Sequence, residues 1–127
     1  EYFKCDVKAT RFNCYSDDTQ FKPLHVDAAA VDPAKAKTLI ITIGVSFGGT
    51  RDVLFANAKT KTKVNIPLPN ASVYCFLRDT NIEWRHGIPC VPKSTGNGPN
   101  VSTGLTQNGN SHGRISIILW GWVDITE

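Results

Sequence analysis

The chain has 127 residues, of which 41% are hydrophobic and 20% are charged, the balance of one folded domain rather than of a disordered segment. Its formal charge of +3 is too small to indicate a nucleic acid or an anionic membrane as the partner. Because no apolar run reaches the roughly 18 residues of a membrane helix, we expect one domain over residues 1–127 without a membrane span.

The first third of the chain predicts strands with one helical turn among them. Residues 1–8 alternate loosely between polar and apolar side chains and predict a first strand. Asp32 and Pro33 supply an N-cap and a proline at the first helical position, which predicts a short helix over residues 33–37. Its apolar face consists of alanine only, so we expect it to anchor little.

The middle of the chain changes to β character. Residues 38–46 are rich in β-branched side chains and predict a central strand that ends at Gly48-Gly49, after which residues 52–56 can return antiparallel. Residues 59–66 alternate and predict a strand whose wet face carries Lys59, Lys61 and Lys63. Lysines in this position protect an edge strand from aggregation.

The last part of the chain contains three further predicted strands and a long loop. The strands cover residues 72–78, 82–86 and 114–126, and residues 93–113 are dominated by Ser, Thr, Asn and Gly. We therefore predict an all-β fold, an antiparallel β-sandwich or a jelly-roll-like barrel of six to eight strands with at most one short helix near residues 33–37.

Four cysteines in a short chain indicate two disulfides and an oxidising compartment. Three pairings are compatible with four cysteines, and we favour the sequence-local one, Cys5 with Cys14 and Cys75 with Cys90. A zinc site would need paired spacings such as Cys-x2-Cys, which the chain lacks, and its histidines are scattered singly. We expect no metal and no cofactor.

Two sequons, which begin at Asn70 and Asn100, match the N-glycosylation pattern. The chain contains no Met and begins with Glu1, which indicates an N-terminus made by cleavage. Together with the cysteines, these features predict a secreted or surface-displayed glycoprotein with an extracellular or surface-exposed location.

The most concentrated polar cluster is Glu83, Arg85 and His86. In a strand, Glu83 and Arg85 lie on one side and His86 on the other. With His112 or His25 as a second histidine, these residues would supply the base, the cation and the acid of a metal-independent ribonuclease. The simpler alternative is a solvated ion pair on an exposed strand.

Two further features suit binding rather than catalysis. Trp120 and Trp122 share one face of the last predicted strand, opposite a continuous aliphatic face. If this face is buried, the two rings belong to the core. If it is exposed, they would stack on sugar rings or dock a protein. The long loop has the composition of adaptable recognition loops. Its candidate binding residues are Asn97, Asn100, Asn108 and Asn110.

The sequence therefore favours a non-enzymatic binding or assembly module with a protein or carbohydrate as its ligand. Two versions fit equally: a lectin-like or effector-like recognition domain, or a β-sandwich subunit of a coat or capsid, for which a homo-oligomer is expected. The alternative of a different class is the small secreted ribonuclease.

Overall fold

The computed structural model describes residues 4–91 and 113–124. They form eight strands and two short helices. In chain order these are β1 (Cys5–Tyr15), β2 (Lys22–His25), α1 (Pro33–Ala36), β3 (Ile41–Gly48), β4 (Arg51–Asn57), β5 (Lys63–Leu68), β6 (Ser72–Leu77), α2 (Arg78–Glu83), β7 (Trp84–Ile88) and β8 (Arg114–Val123). No helix within these residues is long and apolar enough to cross a membrane.

The strands form two antiparallel four-stranded sheets, ordered β1-β8-β3-β6 and β2-β7-β4-β5. The first strand pairs with the eighth, the second with the seventh, the third with the sixth and the fourth with the fifth. This nested pairing is one long hairpin rolled into a sandwich, which is the jelly roll. The predicted all-β sandwich is confirmed.

Local signals placed some elements correctly. The Asp32 side chain accepts hydrogen bonds from the backbone of Ala34 and Lys35, and Pro33 is the first residue of α1, as predicted. β3 is central, between β8 and β6. The second helix, α2, was not predicted, because its N-cap residue, Leu77, makes no side-chain capping bond and so leaves no sequence signal.

Two expectations about the middle of the chain differ from the structure. β3 and β4 do not pair with each other but lie in different sheets, and Gly48 between them has a φ of 89°, which favours glycine. The predicted lysine-faced strand is shorter, since β5 begins only at Lys63. Lys61 lies in a turn with a φ of 63°, so Lys59 and Lys61 are not part of the strand.

The predicted disulfides are wrong, since all four cysteines are free thiols. Cys5 and Cys14 both belong to β1, and nine residues of extended strand separate them by about 30 Å, far beyond the roughly 7 Å that a disulfide allows. Cys75 lies on β6, whereas Cys90 follows β7 in the other sheet. The cysteines therefore give no support to an oxidising compartment.

The hydrophobic core fills one part of the space between the sheets. Val53 and Leu68 are 1% and 2% exposed, and the rings of Phe55 and Phe76 pack edge to face with centroids 5.5 Å apart. Each such side chain stabilises the fold by about 1.5–3 kcal/mol relative to exposure. The rest of the space is lined by both polar and apolar residues and forms a cavity.

In the β1-β8-β3-β6 sheet, the more apolar face points outward, away from the other sheet. The β8 residues that point between the sheets are Arg114, Ser116, Ile118 and Trp120, so the predicted aliphatic face of this strand points outward. By cross-strand register the outward residues form an outer apolar face. Its members are Thr10, Phe12, Cys14, Ile41, Ile43, Val45, Phe47, Val73, Cys75, Leu77, Ile115, Ile117, Leu119 and Val123.

Candidate functional site

A cavity of about 340 Å³ lies between the two sheets. The charges on its wall are unbalanced, because it is lined by four cationic side chains and a single carboxylate. These are Arg11, Lys22, Lys35, Arg114 and Asp27. The excess of cations favours an anionic ligand in the cavity.

Two histidines that are far apart in sequence lie against each other in the cavity wall. His25 is the last residue of β2, His86 is in the middle of β7, and the two are paired directly across the ladder. Their ring centroids are 4.5 Å apart. The expectation that the histidines stand singly is therefore wrong for this pair, because the nested topology joins β2 to β7.

Asp27 completes the cluster, two residues after His25. Its Oδ1 lies 3.8 Å from His25 Nε2 and 3.7 Å from His86 Nε2, and the three groups offer ligand atoms that all lie within 4.8 Å of one another. α2 fixes the backbone of Asp27: the Asn81 side chain accepts a hydrogen bond from its N–H at 2.8 Å and donates one to its carbonyl at 3.3 Å.

Hydrogen bonds from outside the cluster orient two of its three members. His25 Nδ1 lies 2.9 Å from the Pro23 carbonyl oxygen. A carbonyl can only accept, so Nδ1 carries the proton and Nε2 presents its lone pair to the cluster. Thr42 Oγ1 donates to Asp27 Oδ2 at 2.9 Å, which leaves Oδ1 for the histidine side. Bonds of this kind orient metal ligands in proteins.

Burial determines the protonation of His86 beside Asp27. Asp27 and His86 are 7% and 6% exposed. Burial lowers the pKa of His86 to about 4 against the opposing effect of the Asp27 carboxylate, with further lowering by His25 and Lys22, so this imidazole is neutral at pH 7. A neutral imidazole next to a carboxylate is the form in which histidine binds a metal ion.

The residues present fit a divalent transition metal. Two imidazole nitrogens and one carboxylate oxygen suit Zn²⁺ or Fe²⁺ at bond lengths of about 2.0–2.2 Å. Two such bonds span up to about 4.2 Å, and Asp27 Oδ1 lies 3.7 and 3.8 Å from the two histidine nitrogens. Small side-chain rotations would therefore close the cluster on one ion. Three protein ligands leave coordination positions open toward the cavity.

A second buried group, Arg114, lines the same cavity and is 1% exposed. Its Nη2 donates to Ser46 Oγ at 2.7 Å, and its guanidinium lies over the Tyr15 ring, 5.3 Å from the centroid. Nε and Nη1 have no hydrogen-bond partner, and no ion pair within residues 4–91 and 113–124 involves Arg114. A buried guanidinium with free donors is suited to bind a carboxylate.

The ribonuclease candidates do not assemble. Glu83 is exposed at the end of α2, and Arg85 is exposed on the face of β7 opposite His86, so neither lines the cavity. Of the proposed set, only His25 and His86 meet. His112 lies outside the described residues.

The predicted binding residues separate in the same way. Trp120 is half-buried and lines the cavity, whereas Trp122, on the same face of β8, is 43% exposed. Asn70 is exposed in the turn between β5 and β6 and accepts a hydrogen bond from the Gly48 N–H at 2.9 Å. The loop residues Asn97, Asn100, Asn108 and Asn110 lie outside the described residues.

Sequence reasoning missed Asp27, Thr42, Asn81 and Arg114. A signal existed only for Asp27, because a His-x-Asp spacing at the end of a strand puts both side chains on one side. The other three depend on packing between distant elements.

The fold and this cluster together define an eight-stranded jelly roll with an interior histidine and carboxylate site. Coat proteins, lectins and cupins share the jelly roll, which by itself implies no function. The chain matches no protein-family model, and no curated protein is significantly similar to it.

Proposed function

We propose that this protein is an oxygenase that holds Fe²⁺ with His25, Asp27 and His86 and uses a 2-oxo acid as co-substrate. The observation that carries this proposal is the interior cluster, whose three ligand atoms lie within 4.8 Å of one another at the wall of a cavity. Two histidines and one carboxylate with open positions are the ligand set typical of mononuclear non-haem iron oxygenases. An enzymatic role thus takes precedence over the non-enzymatic role expected from the sequence.

The charge of the cavity supports the 2-oxo acid. Hydroxylation of a C–H bond by O₂ needs two electrons besides those of the substrate. Oxidative decarboxylation of a 2-oxo acid supplies them, since one oxygen atom enters the shortened carboxylic acid, CO₂ leaves, and the other atom becomes the hydroxyl of the product. When bound, the ion would supply the position at which O₂ and the 2-oxo acid react.

Two residues of the chain would bind the co-substrate and orient a metal ligand. Arg114 would bind a carboxylate of the co-substrate through its free donors, and Thr42 holds Asp27 in its orientation. Thr42, which contacts Asp27, and Ser46, which contacts Arg114, are four residues apart on β3, or about 13 Å. The ion site and Arg114 therefore lie along the same strand, and a dicarboxylate that binds the ion at one end would present its other carboxylate toward Arg114.

Metal binding is tested first, with Co²⁺ followed by electronic absorption and with Fe²⁺ under anaerobic conditions. We expect one ion per chain, loss of binding in Asp27→Asn and His25→Gln, and unchanged binding in Asp52→Asn, the matched control on the outward side of β4. Because the four thiols are free, the Co²⁺ spectrum also matters: a cysteine site would add a sulfur-to-cobalt charge-transfer band, which we do not expect.

Turnover is tested with 2-oxoglutarate labelled at C1, by measuring the release of CO₂ in the presence of Fe²⁺ and O₂. We expect iron-dependent release, and at least a tenfold higher half-saturating concentration of 2-oxoglutarate in Arg114→Lys, with metal binding retained. Metal binding without any binding or decarboxylation of 2-oxoglutarate would contradict the oxygenase assignment. Failure to bind a stoichiometric ion would contradict the metal centre itself.

The binding or assembly role expected from the sequence is a second proposal, supported by the outer apolar face rather than by the cavity. Secretion stays a prediction that rests on the two sequons, since the cysteines are unpaired. The two roles are compatible because they use opposite faces of the same sheet.

A further inference from the structure

The outer apolar face is large, and the described residues leave much of it exposed. None of its members is charged, and Phe12, Val73 and Ile115 are 70%, 58% and 45% exposed, whereas Ile41 and Ile43 in its centre are 3% and 7% exposed. Four strands about 4.8 Å apart, with about six residues each at a rise of about 3.4 Å, extend over roughly 400 Å². Contiguous apolar patches of this size on soluble proteins mark interaction sites.

The opposite side of the sandwich differs in character. The outward residues of the β2-β7-β4-β5 sheet include Asp52, Lys63, Asn65 and Arg85, as the register of its ladders places them. Charged and polar side chains of this kind suit contact with water. The protein therefore has one face built for solvent and one that is not.

We infer that a second copy of this chain covers the outer apolar face, in a two-fold dimer whose β1-β8-β3-β6 sheets pack face to face. A face without charges offers no ion pair to a charged partner. A surface that is also uncharged and flat is therefore the partner that suits it. A two-fold axis places the same patch on both sides of the interface, and the chain provides such a patch. Two sheets packed face to face are also the arrangement within a β-sandwich.

The size of the face agrees with this partner. A standard interface buries about 800 Å² of accessible surface on each side. Because side chains protrude, the accessible area of a roughly 400 Å² sheet face exceeds its planar area. The outer apolar face is thus large enough to form the apolar centre of such an interface.

The chain carries its own probes for the dimer. Cys14 and Cys75 belong to the outer apolar face and are exposed, whereas Cys90 is exposed outside it. Maleimide labelling at rising protein concentration, read by mass spectrometry, should slow at Cys14 and Cys75 by at least fivefold and stay constant at Cys90. Labelling rates at Cys14 and Cys75 that stay constant across the concentration range would overturn the inference.

Sedimentation of charge variants gives an independent test. The wild type should change from a species of 13.9 kDa to one of twice that mass, and Phe12→Lys with Val73→Lys should weaken association at least tenfold. Asp52→Asn with Asn65→Lys raises the charge by the same amount on the opposite side of the sandwich and should dimerise like the wild type. A monomeric wild type, as expected if another protein or segment covers this face, contradicts the inference, as does equal association of the variants.

This inference does not depend on the proposed iron site. The variants leave His25, Asp27 and His86 unchanged, and circular dichroism serves as the check that they are folded. Loss of dimerisation with an unchanged circular dichroism spectrum supports the dimer whether or not the protein binds an ion.

Discussion

The ring of Tyr74 occupies space that only a glycine opposite it allows. A Cβ added at Gly44, its partner on β3, would overlap the ring. The ring also stacks on Phe76 with the centroids 6.4 Å apart. A phenol is thus held between the sheets beside the cavity, where water is scarce.

This environment has a measurable effect on stability at high pH. Burial raises the pKa of Tyr74 to about 12, with Asp27 and Tyr15 adding to the shift and Arg114 opposing it. The pKa of tyrosine in an unfolded chain is about 10. Between about pH 10 and pH 12, therefore, the unfolded state loses this proton and the folded state keeps it, so the free energy of unfolding falls by up to about 2–3 kcal/mol.

The Tyr74→Phe variant should not show this part of the decrease in the free energy of unfolding at high pH. Denaturant unfolding between pH 9 and pH 12 measures it as the difference in slope between the two proteins, and Tyr15 titrates in both. Identical slopes would mean that the Tyr74 hydroxyl ionises normally in the folded protein.

At the scale of elements, the extended strand β1 prevents a disulfide between Cys5 and Cys14. Because Cys5 and Cys14 lie on one extended strand, they cannot approach each other without unfolding it. We predict that the folded protein, purified without reductant, takes up four iodoacetamide groups per chain. Burial and the Asp6 carboxylate raise the pKa of the Cys5 thiol, so Cys5 should react more slowly than the exposed Cys14. A disulfide between Cys5 and Cys14, found by peptide mapping, would contradict the structure of β1.

The elements that the sequence predicts correctly are those with local causes. The α1 helix follows from Asp32 and Pro33, and β3 follows from a run of β-branched residues. The assignment of β3 and β4 to different sheets does not follow from their sequences, because it depends on which distant strand each one meets. The sequence of β8 also does not show which of its sides faces the other sheet. Its aliphatic side is the stronger signal for a buried position, and yet that side points outward.

The residues of the candidate site also differ in whether a local sequence signal predicts them. His25 and Asp27 are neighbours in sequence, and their spacing is readable. His86 joins them only through the pairing of β2 with β7, and Arg114 enters the cavity because the polar side of β8 faces inward. Neither contact has a local signature, which is why the sequence suggested a binding module.

At the scale of the whole molecule, the cluster of His25, Asp27 and His86 connects the two sheets. Its histidines belong to β2 and β7, while the Thr42 hydroxyl that holds Asp27 comes from β3. An ion bound only by the folded state stabilises it by about 2.7 kcal/mol at a hundred times its Kd, or several degrees in Tm for a domain of this size.

We therefore expect Co²⁺ to raise the Tm of the wild type and of Asp52→Asn, and a chelator to reverse the increase. Asp27→Asn should show no shift, because it lacks the charged ligand. Circular dichroism measures all three proteins under the same conditions. A shift of equal size in Asp27→Asn would place the ion elsewhere in the protein.

The nested pairing of the strands also sets the order in which the fold can close. β4 and β5 are joined by a short turn, whereas β2 and β7 meet only after the chain between them is arranged, and closing long loops of this kind makes folding slow. We therefore expect the cluster of His25, Asp27 and His86 to be completed late in folding. An ion that binds so late leaves the rate of folding unchanged and slows unfolding, so its main contribution would be to the lifetime of the native state.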